Sequence, residues 1–144
     1  MLASPSARPR SFAHVRTQES SPHLIVELDG RITGSTIRHA FNTFPALLAA
    51  LPSRFVTLAT YPDVTLFAPD AVGQLFSIVA RLFDAEPGLC VFVDGGKSPH
   101  PGLRDFITRV GTESRLLFVP TIADALGHIR ANESLPPSQI QLAR

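Results

Sequence analysis

Apolar residues recur at helical spacing in four parts of the chain. Positions three and four residues apart lie on one face of a helix, so each stripe predicts an amphipathic helix with one buried face. The stripes are Ile37, Phe41, Phe44 and Leu48; Val72, Leu75, Phe76, Val79 and Phe83; Leu103, Phe106, Ile107 and Val110; and Ile122, Ala125, Leu126 and Ile129. Pro45 predicts a kink or a restart in the first helix, Gly111 ends the third, and Thr121 caps the fourth.

Five other segments have the composition of β-strands. Residues 12–17 alternate loosely, residues 23–32 begin with a β-prone run, and residues 53–61 are rich in β-branched and aromatic side chains. Residues 89–93 and 115–119 are short and largely apolar, which is typical of strands covered on both faces. Within 23–32, the pair Asp29-Gly30 is a strong turn signal and predicts a turn there.

The predicted order of elements is β-β-α-β-α-β-α-β-α. Strands that alternate with helices indicate an α/β fold, here a single domain with a mixed, mostly parallel sheet of about five strands and four helices. We expect this domain to span residues 12–131, between a flexible N-terminal arm over 1–11 and a C-terminal tail over 132–144. The arm is rich in Pro, Ser and Arg, and two prolines exclude a continuing helix in the tail.

Composition narrows the possible partners. The 144 residues carry 13 basic and 12 acidic side chains, a formal net charge of +1. This balance offers no basic surplus for binding phosphate backbones, so nucleic acid is not an expected partner. No apolar run approaches the roughly 20 residues that cross a bilayer, and no apolar stretch follows the N-terminal arginines as in a secretory signal. We therefore expect a cytoplasmic protein without stable membrane insertion.

Groups that could carry chemistry are few. Cys90, the single cysteine, lies in an apolar run and is expected to be an inert buried thiol. The five histidines lack metal-binding spacing, and neither a Ser-His-Asp order nor paired carboxylates are visible. Residues 95–98, Gly-Gly-Lys-Ser, lack the first glycine of a phosphate-binding loop. We expect no catalytic residue, no metal and no cofactor, and hence no enzyme.

Two segments resemble a known family. Residues 111–126 read Gly-Thr-Glu-Ser-Arg-Leu-Leu-Phe-Val-Pro-Thr-Ile-Ala-Asp-Ala-Leu, in which a glycine ends a helix, a short strand follows and a threonine caps the next helix. Residues 28–33 read Leu-Asp-Gly-Arg-Ile-Thr, similar to the turn after the family's second strand. With the order of elements, these segments resemble the STAS domain, the fold of bacterial anti-sigma factor antagonists and of sulfate-transporter cytoplasmic domains. The resemblance covers about residues 12–131.

The family's phosphorylation site is altered in this chain. STAS domains that are phosphorylated have an Asp and then a Ser or Thr before their second helix, and the matching string over 64–73 is Val-Thr-Leu-Phe-Ala-Pro-Asp-Ala-Val-Gly. Alignment on Gly73 places Ala68 at the family's Asp and Pro69 at the phosphoacceptor, so Asp70 falls one position later. Proline has no hydroxyl, and the resemblance therefore implies a domain that is not phosphorylated at the usual site.

Two interpretations of this segment remain open. In the first, Ala68-Pro69-Asp70 is simply a well-formed helix start, because proline suits the first turn and a carboxylate is favoured near the positive end of the helix dipole. In the second, Asp70 holds the domain in the partner-binding state that the family reaches through phosphorylation. Thr65, the nearest hydroxyl in sequence, is a possible alternative phosphosite.

The resemblance implies a non-catalytic interaction domain in bacterial regulatory signalling. Its partner would be an anti-sigma-factor-type kinase, another regulatory protein or another STAS protein, with a homodimer as a further possibility. The implied binding surface comprises Ala68, Pro69, Asp70, Gln74, Ser77 and Arg81, together with the turn residues Gly30, Arg31 and Thr33. The alternative is a STAS-like module that binds a small molecule or a lipid, for example as part of a lipid-transport complex. Its pocket would be lined by Phe41, Phe44, Phe76 and Phe83.

Overall fold

The computed structural model describes residues 11–97 and 100–133. In these ranges the strands are β1 Ser11–Thr17, β2 Leu24–Ile32, β3 Val56–Thr60, β4 Val64–Phe67, β5 Leu89–Val93 and β6 Arg115–Val119. The helices are α1 Gly34–Ala40, α2 Phe44–Ala49, α3 Pro69–Asp84, α4 Pro101–Val110 and α5 Ile122–Glu133. The arm and the tail predicted for 1–11 and 132–144 lie largely outside the described residues, although β1 begins at Ser11 and α5 continues to Glu133.

The strands form one mixed sheet in the order β1-β2-β3-β5-β6, with β4 also paired to β2. β1 runs antiparallel to β2 and covers one edge of it along residues 24–30. On the other edge, β3 pairs with residues 24–27 of β2, and β4 pairs with residues 30–32, both in parallel. The pairs β3–β5 and β5–β6 are also parallel. The helices supply the crossovers that parallel strands require, as the α/β prediction expected.

Helices cover both faces of the sheet. On the first face, α3 packs against both α1 and α4, and a large apolar cluster that includes Leu24, Ile32 and Phe92 is buried there. On the second face, α5 packs on β3, β5 and β6 and buries a smaller cluster around Val91 and Ile129. β5 lies between the two layers and is buried at all five positions, which explains its continuous apolar sequence.

The described part of the chain contains one strand and one helix more than the prediction. β4 is only four residues long and directly precedes α3, so its short run gives little signal as a separate strand. The stripe around Pro45 forms two short helices, α1 and α2. The second helix begins at Phe44, so the proline lies in its first turn. The predicted restart at this proline is confirmed.

The turn predicted at Asp29-Gly30 is wrong. Gly30 lies inside β2, where it pairs with Ser11 on one side and Val64 on the other. Its φ of +73° is a left-handed conformation that glycine adopts readily, and the pairing with β4 shifts register between Gly30 and Arg31. The glycine therefore marks an irregularity within a continuing strand.

The helix ends in the C-terminal half agree with their sequence signals. α4 ends at Val110 with Gly111 as its C-cap, and the Gly111 N–H donates to the Ile107 carbonyl over 2.9 Å. At the start of α5, the Asp124 N–H donates to the Thr121 hydroxyl over 3.1 Å. Both ends depend on local contacts within a few residues, which is why the sequence reveals them.

Candidate functional site

Two helices, α1 and α3, begin side by side where the parallel strands β2 and β4 end. β2 leads into α1 through Thr33, and β4 leads into α3 through Ala68. Ile32 and Phe67 are paired across the two parallel strands, and the Ala68 N–H donates to the Ile32 carbonyl over 2.8 Å. The N-termini of α1 and α3 are therefore held together by the sheet itself.

Asp70 links these two helix starts. It lies in the first turn of α3, as predicted, but its side chain reaches the other helix: Oδ1 accepts a hydrogen bond from the Gly34 N–H over 3.0 Å. The amide of Gln74 donates to the Asp70 carbonyl over 3.0 Å and lies on the same side of α3. The carboxylate thus satisfies one of the N–H groups that the start of α1 leaves unpaired, and it does so where the helix dipole favours negative charge.

Gly34 is what allows this close approach. A Cβ atom at this position would come within 2.7 Å of Asp70 Oδ2 and within 2.7 Å of the Gln74 amide nitrogen. Any larger residue would displace the carboxylate or the amide from the start of α1. The contact between the helices therefore depends on a glycine 36 residues away from the aspartate.

The first turn of α1 also carries a group of hydroxyls. The Thr33 hydroxyl caps the helix by accepting from the Thr36 N–H over 3.2 Å. The hydroxyls of Thr33 and Thr36 are 2.9 Å apart, and that of Thr36 is hydrogen-bonded in turn to Ser11 on β1. The sequence analysis named Thr33 as a turn residue but missed Thr36 and Ser11, because the pairing of β1 with β2 is what brings Ser11 to this helix start.

The predicted surface residues separate into exposed and buried positions. Asp70, Ser77 and Arg81 are exposed and Gln74 is half-buried, so one polar stripe follows the outer side of α3. Pro69, Thr65 and Arg31 are exposed beside it, and Thr33 is half-buried. Ala68 and Gly30 are buried, so both support the surface from beneath. The structure thus brings the two predicted patches together, with Gly30 in a strand where a turn was expected.

The four phenylalanines of the predicted pocket pack into the core. Phe41 and Phe44 contact each other edge to face, with ring centroids 5.2 Å apart. Phe76 stacks on Phe106 with centroids 4.6 Å apart, and Phe83 is half-buried against the same cluster. All four rings therefore pack in or against the apolar cluster, which is the usual consequence of helix stripes that face a sheet.

Neither the cysteine nor the histidines form a reactive or metal-binding group in the described residues. Cys90 is fully buried, and burial raises the pKa of its thiol from 9.0 to about 12, so the nucleophilic thiolate is disfavoured. Within residues 11–97 and 100–133, no three His, Cys, Asp or Glu side chains are grouped as a metal site would require. Over the same ranges, no helix is long and apolar enough to cross a bilayer.

Solved structures provide the comparison with known proteins. No protein-family model matches this chain, and no curated protein matches it. A structure of an uncharacterised protein from the DUF3478 family of Shewanella loihica, with a SpoIIAA-like fold, aligns with a TM-score of 0.63 and 15% identity over 85% of this chain and 97% of its own. An anti-sigma factor antagonist from Mycobacterium paratuberculosis aligns with a TM-score of 0.50 and 17% identity over 90% and 99%, respectively. The chain therefore has the STAS-like, SpoIIAA-like fold that its sequence resembles.

Proposed function

We propose that this chain is a non-catalytic protein-protein interaction domain in bacterial regulatory signalling, acting without phosphorylation at the usual STAS position. Its partner is a regulatory protein such as an anti-sigma-factor-type kinase or another STAS protein. The fold shared with an anti-sigma factor antagonist supports this choice of partner class. Fold alone does not define function, so the proposal depends on the site described above.

The hydrogen bond between Asp70 and Gly34 carries the proposal. In a phosphorylated STAS domain the charge at this helix start changes, whereas here a permanent carboxylate lies one residue beyond Pro69 and is bonded to α1. A carboxylate has less charge and fewer acceptor oxygens than a phosphate, but it is always present. We infer that Asp70 keeps α1 and α3 in one arrangement, so that partner binding is constitutive.

The docking surface is the polar stripe of α3. Asp70, Gln74, Ser77 and Arg81 follow each other at intervals of four, three and four residues, which places them on one side of the helix. The stripe carries both signs of charge, with Asp70 at its start and Arg81 in the last turn. Such a surface fits a partner with a complementary pair of charges, and complementary charge sets the register of binding.

Affinity capture from the native cell tests the docking surface. The full chain and its Arg81→Glu variant are used as baits, and Arg115→Glu is the control because it makes the same change in charge at an exposed residue of β6. We expect a regulatory protein to bind the unmodified chain and the control but not the α3 variant. A partner lost with the control and kept with Arg81→Glu would contradict the assignment of the surface.

Mass spectrometry tests the unphosphorylated state separately. The captured kinase-type partner is incubated with the chain and ATP, and the segment 64–73 is examined for added phosphate. Thr65 is the single hydroxyl side chain in that segment, and it is exposed on β4. We expect no phosphate there, and the Thr65→Val variant is the control. Phosphate on Thr65 would mean that the switch has moved and that binding is regulated.

A further inference from the structure

A second polar cluster lies at the carboxyl ends of the parallel strands, where β5 leads into α4. It surrounds a cavity of about 10 Å³. The cavity is lined by Tyr61, Phe67, Asp94, Lys97, His100, Leu103 and Arg104. In α/β sheets, the crevice outside the carboxyl ends of the parallel strands is the usual place for ligands. The composition of this lining indicates which chemistry it accepts.

The one acidic group in the lining is already committed to protein contacts. Asp94 is 6% exposed, and its Oδ1 accepts a hydrogen bond from the Gly96 N–H over 2.8 Å. Its Oδ2 lies 3.7 Å from Nη1 of Arg104, whose guanidinium is held over the Phe118 ring at 4.2 Å. The lining contains two basic residues, Lys97 and Arg104, and one acidic residue, Asp94. Its formal charge is therefore +1 when His100 is neutral.

Two further side chains supply hydrogen-bond donors. Tyr61 is 8% exposed, yet its hydroxyl forms no hydrogen bond with any residue of the described ranges. Burial and the charge of Asp94 raise the pKa of this phenol, so the O–H stays protonated and can donate. His100 accepts from the Leu103 N–H through Nδ1 over 3.1 Å, so a neutral ring carries its proton on Nε2. The hydroxyl oxygen keeps some accessible surface, so it can donate to an acceptor that enters the cavity.

We propose that this cavity is a binding site for one oxyanion group, a phosphate or a carboxylate, on a small molecule. Its volume is about that of one water molecule, so it admits one ligand oxygen next to the Tyr61 hydroxyl while the rest of the group remains at the mouth. Lys97 and Arg104 supply the opposing charge, and His100 donates from the start of α4. The positive end of that helix dipole adds to the attraction.

This site differs from a phosphate-binding loop in the groups that it uses. Pro101 has no N–H to donate, and the Leu103 N–H is already bonded to His100. Backbone amides at the start of α4 are thus mostly unavailable, and side chains provide the donors. The site involves none of the residues of the α3 stripe, and testing it requires no protein partner.

Titrations followed by amide NMR test the proposal with the full chain. Sodium phosphate and sodium acetate are added separately at constant ionic strength, with sodium chloride as the reference salt. We expect saturable shifts at Lys97, Gly102 and Leu103 with phosphate or with acetate, and the anion that saturates identifies the source of the group. Shifts that do not saturate with either anion, or that sodium chloride reproduces, would overturn the site and leave a cavity for water.

Three variants make the test specific. Tyr61→Phe removes the phenol donor with almost no change in shape, and Lys97→Gln removes one charge from an exposed residue. Each is expected to weaken binding by about tenfold, the effect of one lost hydrogen bond to a charged group. Arg109→Gln removes the same charge from the last turn of α4 and is expected to leave binding unchanged. Equal weakening by Arg109→Gln, or full binding by Tyr61→Phe, would contradict the proposed contacts.

Discussion

The N–H of Gly34 donates to Oδ1 of Asp70 over 3.0 Å, and this single bond joins the first turns of α1 and α3. The two residues are 36 positions apart in sequence, and the parallel pairing of β2 with β4 brings them together. Asp70 thereby acts as an N-terminal cap for a helix to which it does not belong. Asp70 directly follows Pro69, the residue that the resemblance to STAS domains matches to their phosphoacceptor, so the strength of this bond bears directly on the proposed function.

Removal of the Asp70 carboxylate is expected to destabilise the domain. Asp70→Ala leaves the Gly34 N–H without its acceptor, and a lost N-cap costs about 1 kcal/mol of the free energy of unfolding. Urea denaturation followed by circular dichroism measures the change. Asp84→Ala is the control, because it removes the same charge from the last residue of α3, where the dipole disfavours it. Equal losses in both variants would show that the bond to Gly34 contributes nothing.

The two glycines at positions 34 and 73 are expected to respond in opposite ways to alanine. Gly34→Ala places a Cβ 2.7 Å from Asp70 Oδ2 and is expected to lower the unfolding free energy by about 1 kcal/mol as the cap is displaced. Gly73→Ala meets no atom within 4 Å in the middle of α3 and is expected to raise it by about 0.5–1 kcal/mol. Thermal and urea unfolding of both variants provide the measurement.

A double-mutant cycle identifies the cause of the Gly34 effect. If the new methyl group acts by displacing the Asp70 carboxylate, Gly34→Ala should cost much less in the Asp70→Ala background than in the unmodified chain. If the losses in unfolding free energy of the two substitutions simply add, the new methyl group must act on other atoms at the start of α1.

Because Cys90 is buried, the free energy of unfolding is expected to fall as the pH rises in the alkaline range. The unfolded thiol ionises near 9.0 and the folded thiol at about 12, so the unfolded state loses its proton first. This contribution is fully present below the unfolded pKa and is lost as the pH rises towards the folded pKa. The loss amounts to about 1.4 kcal/mol for each pH unit within that window.

The comparison of the unmodified chain with Cys90→Ala isolates this effect. The substitution removes the titrating group, so the difference in unfolding free energy between the two proteins should narrow by about 1.4 kcal/mol between about pH 8 and about pH 10. Urea denaturation at both values measures it. A difference that stays constant would contradict the raised pKa of the thiol.

The N-terminal cap of α5 can be tested in the same way. Thr121→Ala removes the hydroxyl that accepts from the Asp124 N–H, and a loss of about 1 kcal/mol in unfolding free energy is expected. Thr112→Ala is the matched control, because Thr112 is an exposed threonine outside the helices. Urea denaturation should separate the two variants. A control as destabilised as Thr121→Ala would mean that the cap bond is not the cause.

Local signals predicted much of the fold because their causes are local. The stripes of α3, α4 and α5 follow from the helical period, and the ends at Gly111 and Thr121 depend on neighbours a few residues away. The position of Pro69 in the first turn of α3 was equally predictable, since proline has no N–H to lose there. The turn predicted at Asp29-Gly30 failed because a pair of residues cannot reveal that β1 and β4 extend the strand on both sides.

The candidate sites show the same division. The sequence predicted Asp70 at a helix start but not its bond to Gly34, and it placed Thr33 on the predicted surface without its hydroxyl neighbours Thr36 and Ser11. The sequence did not indicate that Tyr61, Asp94 and Arg104 line one cavity. These residues follow or belong to different elements, and only the order of the strands in the sheet brings them together.

The sequence by itself determined the α/β class, the polar stripe of α3, and the presence of Pro69, which has no hydroxyl, in the segment that resembles the STAS phosphorylation site. Each follows from side-chain period or from the chemistry of one residue. The tertiary structure decided which helix starts meet, which carboxylate caps which amide, and that Tyr61 lines one cavity with Asp94 and Arg104. Those outcomes depend on the parallel register of β2 with β4 and of β3 with β5, and register is a property of strands that are distant in the chain.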